Sequence, residues 1–273
     1  IQTLSDFIEL PVFPADPVTY TSAAIPLSLF DTIIAFEWRY NQSPENILRT
    51  PVNFKVATPN NSIGSSSPDS VLSVTFPVNS VYDTLITWIN QTRMYSNANI
   101  SAISDPYTIF PLEQPLRSDI LLEIKLPVGT EDLEKIGLYQ LDDDEWSFLG
   151  NQSNPEQTTI SAYTDKFGSV ALLKDIESPV ISDIFPGNGG RFRSQDITYI
   201  SAIVKDNLSG LKDDTSISVL MDNRPLYAEY NAPKDHIRYK TSGSLSKGQH
   251  TLTITVTDRA NNYTTKNSAF TVY

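Results

Sequence analysis

Cysteine is absent from the 273 residues. That excludes a disulfide framework, thiolate metal sites and a cysteine nucleophile. Histidine occurs twice, at His236 and His250. A zinc hydrolase needs histidine and carboxylate ligands around an open coordination position. Neither histidine has the spacing of an H-E-x-x-H or H-x-H site. No G-x-S-x-G turn is present to expose a serine nucleophile, and Ser209 lacks the required glycine two residues before it. The expectation is a chain without catalysis and without a cofactor. Basic residues are also few. Lys and Arg total 20 against 32 Asp and Glu, a net charge of −12. Phosphate recognition needs clustered Lys and Arg, so nucleic acid and anionic membranes are not expected partners. The longest apolar runs, such as Ile33-Ile34-Ala35-Phe36, fall far short of the ~20 residues that span a bilayer, so no membrane insertion is expected.

What is present is period-two alternation, the mark of half-buried strands. Ile34, Phe36, Trp38 and Tyr40 share one face of the segment from Asp31 to Asn41. Val52, Phe54 and Val56 alternate with Asn53 and Lys55. Leu72, Val74 and Phe76 form a row, as do Ile120, Leu122, Ile124 and Leu126. Ile217, Val219 and Met221 form another. The clearest row is Leu252, Ile254 and Val256, set among four threonines. No segment sustains a 3.6-residue period. Residues 130–135 allow one helical turn. The predicted fold is therefore all-β, tandem antiparallel sandwiches with little or no helix.

Breakers separate these runs: Pro59-Asn60-Asn61, the stretch from Gly64 to Pro68, Pro127-Val128-Gly129, Pro186 to Gly190, and Ser242-Gly243. Strands at such spacing point to sandwiches rather than crossover helices. The spacing predicts a β segment over 1–60, either a partial sandwich or a segment that packs with the next block, a sandwich over 61–176 and a second sandwich over 177–273. The absence of an initiator Met and of a leader-like stretch at Ile1 is expected of a piece of a longer, exported chain with further domains.

From Pro179 onward the residues form a recognisable series. It runs through Lys205-Asp206-Asn207-Leu208-Ser209-Gly210-Leu211, Leu245-Ser246-Lys247-Gly248-Gln249-His250-Thr251 and Val256-Thr257-Asp258-Arg259-Ala260-Asn261-Asn262. This resembles the bacterial immunoglobulin-like domains of large surface proteins. Their strands read D-x-x-S-G-I, L-x-x-G-x-H-x-L-x-V and D-x-A-G-N, with Asn261 here in the usual glycine position. The preceding block carries Glu145-Trp146-Ser147-Phe148-Leu149-Gly150 and Phe167-Gly168-Ser169-Val170-Ala171-Leu172-Leu173. It is similar to sandwich modules found C-terminal to the catalytic domain in some lysostaphin-like peptidoglycan metallopeptidases. The resemblance implies an extracellular, cell-surface or periplasmic location, and protein or cell-wall polysaccharide as partner.

Several constellations remain. Asp142-Asp143-Asp144-Glu145 is the densest charge cluster, and its place between two strands predicts a solvated hairpin tip. Asp206, Asn207, Asp258 and Asn261 each follow an alternating strand and could meet at one pole of the last sandwich. Oxygen ligands there suit Ca²⁺; the favoured reading is that Asp and Asn cap turns by bonding their own backbone. Trp38, Trp88 and Trp146 sit in strand-like runs, as core aromatics or as a sugar-stacking platform. His250 is expected to be structural. Asn-X-Ser/Thr triplets occur at Asn41, Asn60, Asn90, Asn99, Asn151, Asn207 and Asn262, a frequency that fits polar loops. Together these features predict a non-catalytic spacer or interaction region of a larger exported bacterial surface protein. The alternative is an accessory region that positions or targets the catalytic domain of a peptidoglycan metallopeptidase.

Overall fold

The computed structural model describes residues 1–4, 6–14, 20–39, 47–93, 101–241 and 245–273. Every long element among them is a strand, and the helical pieces are short 3₁₀ turns. One such turn, Leu133–Lys135, falls where the sequence predicted a single helical turn. The chain divides into two compact units, Ile1–Glu131 with Leu138–Leu173, and Asp132–Gly137 with Lys174–Tyr273.

The first unit holds two larger sheets. One runs in the order Glu145–Gly150, Ile136–Asp142, Gly168–Lys174, Tyr107–Phe110, Leu85–Gln91, Lys55–Ala57. The other runs Gln152–Ser153, Thr159–Lys166, Pro115–Lys125, Leu72–Phe76, Ile63–Ser66. Alternation dictates the second sheet's core face. Leu72, Val74, Phe76, Ile120, Leu122 and Ile124 are sealed from solvent, and Leu122 stands opposite Val74 across the ladder. Strand Lys55–Ala57 pairs with Leu85–Gln91, so the chain on either side of residue 60 belongs to one sheet. The polar stretch around Gly64 is itself a strand, Ile63–Ser66, paired with Leu72–Phe76. Its Ser65 is buried. Small hydroxyl residues pack there without leaving an apolar alternation to read.

One strand presents the face opposite to the expected one. In Ile33–Arg39 it is Ile33 and Ala35 that are buried, while Ile34 and Phe36 are only half-buried. Phe36 instead joins an aromatic cluster centred on Phe54, which meets Phe30, Phe36 and Trp88 edge-on at 5.3–5.8 Å. Trp88 also stacks on Phe110 at 4.8 Å, which assigns this tryptophan to packing. Tyr40, Asn41 and the Trp38 side chain lie outside the described residues.

The second unit is a sandwich of two sheets around one core. The first sheet orders Val180–Phe185, Tyr199–Lys205, His236–Lys240, Glu229–Asn231. The second orders Arg191–Phe192, Tyr263–Val272, Gly248–Thr257, Ile217–Met221, Arg224–Leu226. Arg191–Phe192 runs parallel to its neighbour. Ile181, Ala202, Val204, Ile237, Leu252, Ile254, Val256, Phe270 and Val272 fill the space between the sheets. The threonines of Gly248–Thr257 face the other way, and Thr255 bonds across to Thr265 at 2.9 Å. Truncating Leu252 to alanine here should cost about 2–5 kcal/mol, as other buried leucines do.

Candidate metal centre

Three strand ends set the site. Asp175 follows Gly168–Lys174, Asp206 follows Tyr199–Lys205, and Asp258 follows Gly248–Thr257. A strand that leaves its sheet frees backbone N–H groups, and Asp side chains at such points accept them. Asp206 Oδ2 accepts from Leu208 N and Gly210 N at 3.1 and 2.7 Å. Asp175 Oδ2 accepts from the intervening Ser209 N at 3.0 Å, and its Oδ1 accepts from Glu177 N at 3.1 Å. Asp258 Oδ1 accepts from Asn262 N at 2.8 Å. Gly210 has φ +71 with Arg259 Nη1 3.2 Å from where a Cβ would sit. This turn therefore needs glycine for its backbone conformation.

These turns bring one carboxylate oxygen from each of Asp175, Asp206 and Asp258 within 4.8 Å of one another. Asp175 and Asp258 are buried, at 1% and 4% exposure, and Asp206 is half-buried. At an effective dielectric near 20, two unit charges at that separation repel by about 3 kcal/mol, less where solvent reaches Asp206. Burial pushes the Asp206 carboxyl above its ordinary range. The Gly210 and Leu208 N–H groups oppose this, and the charges of Asp175 and Glu177 reinforce it. Burial likewise raises Asp258 against the bonds from Asn262, with Asp175 and Asp206 adding repulsion.

A second layer holds the carboxylates in place. Asn262 is buried. Its Nδ2 donates to Asp258 Oδ2 at 2.9 Å and to the Asp175 carbonyl at 3.1 Å. Its Oδ1 accepts from Lys135 Nζ at 2.6 Å. Arg259 Nη1 donates to the Ser209 carbonyl at 3.1 Å. Ser209 is 1% exposed, and its Oγ has no hydrogen-bond partner among the described residues.

Three converging carboxylates can share a proton or hold a cation. Ca²⁺ takes oxygen ligands at about 2.4 Å, so ligands on opposite sides of one ion lie about 4.8 Å apart. The spacing found here is within that limit. The sequence pattern singled out Asp206, Asn207, Asp258 and Asn261, and the structure brings the two aspartates together. Asn207 and Asn261 are exposed. Asn261 adopts φ 60 and bonds Asp258 O through its N–H at 3.3 Å, so asparagine preserves a turn where the resembled domains use glycine. Asp175 was missed. Its signal was the acidic Asp175-Ile176-Glu177 segment ahead of Pro179, which reads as linker when the chain is followed in order.

The other candidates fall elsewhere. Asp142 and Glu145 pair across a tight hairpin whose central residues Asp143 and Asp144 have φ 45 and 72, as a two-residue turn demands. Asp142 makes an exposed ion pair with Lys166 at 2.6 Å. No protein-family model and no curated protein matches the chain.

Proposed function

We propose that this chain is a non-catalytic, Ca²⁺-binding spacer or interaction region of a larger exported bacterial surface protein. The observation that carries the reading is the convergence of Asp175, Asp206 and Asp258 at three strand ends. A bound divalent cation relieves the repulsion among these carboxylates and fixes the three turns in one arrangement. Support for export and for a bacterial surface role comes from the D-x-x-S-G, G-x-H-x-L and D-x-A-x-N series. The polar side chains at the strand ends bond backbone groups of their own unit, which suits a module built to hold its shape.

Melting of the intact chain with and without added Ca²⁺ tests the cation. At ten times the dissociation constant the gain is about 1.4 kcal/mol. Unchanged melting at millimolar Ca²⁺ would remove calcium from the reading. Incubation with purified peptidoglycan tests the spacer role. A spacer stays in solution, and co-sedimentation would favour the accessory-region alternative.

A further inference from the structure

His250 lies in strand Gly248–Thr257 with its ring 7% exposed. Its Nδ1 is 2.7 Å from Asp222 Oδ2, and its Nε2 is 2.8 Å from the Ser246 carbonyl oxygen. The ring stacks on Phe270 of the last strand at 5.6 Å. Both nitrogens therefore face groups that only accept hydrogen bonds, given that Asp222 is ionised. A neutral imidazole carries one N–H, whereas an imidazolium carries two. Only the charged ring satisfies both contacts.

We propose that His250 is a proton-operated clamp: doubly protonated, it ties the Asp222 turn and the Ser246 segment to strand Gly248–Thr257, and on losing a proton it releases Ser246. The order of release follows from bond strength. A hydrogen bond to a carboxylate is about twice as strong as one to a neutral carbonyl, so the remaining proton stays on Nδ1 against Asp222. The Nε2 lone pair then points at the Ser246 carbonyl oxygen, and two acceptors at 2.8 Å repel.

The surroundings favour the charged ring. The turn between Ile217–Met221 and Arg224–Leu226 supplies Asp222, the second of these strands supplies Arg224, and the segment before Gly248 supplies the Ser246 carbonyl, with Lys247 next along. The last strand supplies apolar Phe270. Burial pulls the His250 proton affinity down, but the Ser246 carbonyl and the Asp222 carboxylate outweigh it and hold it above the ordinary histidine range. Burial raises the Asp222 carboxyl. The Thr251 N–H, the His250 contact and the His250 and Arg224 charges outweigh that and hold it below 3.8. For a raised histidine the stabilisation is complete below 6.5 and is lost as pH rises through the folded-state value.

Histidine ring ¹⁵N spectra of the intact chain test the clamp. The two histidines give separable signals, and His250→Gln assigns them. The expected result is an imidazolium at His250 at pH 6.5, a midpoint above 6.5, and an Nδ1–H neutral form beyond it. The Ser246 and Lys247 amide signals should move with the same midpoint. Asp222→Asn should lower that midpoint, and the variant's amide spectrum shows whether it is folded. A His250 midpoint at or below 6.5, a neutral Nε2–H form, or static Ser246 and Lys247 amides would overturn the proposal.

Discussion

The chain has two acidic groups of opposite character. Asp142 to Glu145 are four consecutive carboxylates on an exposed hairpin tip of the first unit. Asp175, Asp206 and Asp258 are scattered in sequence, yet the second unit brings them within 4.8 Å and buries two of them. Neighbours on a two-residue turn splay into water, where charge is screened. Strand ends at one pole of a sandwich converge, and there charge is concentrated. Density along the chain is thus a poor guide to a site, and topology is the better one.

Between the two acidic groups, removing the scaffold of the buried one should have the larger effect. Asn262→Ala deletes the side-chain bonds to Asp258, the Asp175 carbonyl and Lys135. Several buried partners lose a bond at once, so urea unfolding should show a loss of about 2–4 kcal/mol. A loss under 0.5 kcal/mol, on the order of an ordinary surface change, would make the buried layer energetically idle.

The next effect is pH-dependent and has a defined sign. Folding raises Asp206 and Asp258 above 3.8, so the folded chain keeps protons that the unfolded chain releases. That penalty is present above the folded-state values and fades as pH falls toward 3.8. In metal-free buffer, the stability of the wild type relative to an Asp206→Asn/Asp258→Asn double variant should therefore rise between pH 7 and pH 4. A flat difference would mean that the carboxylates do not repel as their spacing implies. The smallest effect belongs to the tip. Asp142→Asn breaks an exposed pair with Lys166, and chemical unfolding should change by less than about 1 kcal/mol. A larger loss would erase the distinction between the two acidic groups.

Much of the sandwich core was legible because alternation and burial coincide. Leu252, Ile254 and Val256 alternate, and all three are sealed. Legibility failed where packing departed from that rule. Ile63–Ser66 hides a strand in small polar residues. In Ile33–Arg39 an aromatic cluster draws Phe36 away, and Ile33 and Ala35 take the buried face. The site was half legible. Asp206 and Asp258 follow clear alternating strands. Asp175 follows the buried run Val170 to Leu173 and looks like the start of a linker. Its place in the cluster depends on hydrogen bonds it accepts from Ser209 N–H and Asn262 Nδ2, which are distant in sequence.

Titration calorimetry with Ca²⁺ on the intact wild type, beside Asp206→Asn and Asp142→Asn, decides whether the buried aspartates hold a cation. A cation site at Asp175, Asp206 and Asp258 should give saturable binding at one site in the wild type, retained in Asp142→Asn and lost in Asp206→Asn. Binding that survives Asp206→Asn, or no binding in the wild type at millimolar Ca²⁺, would contradict it.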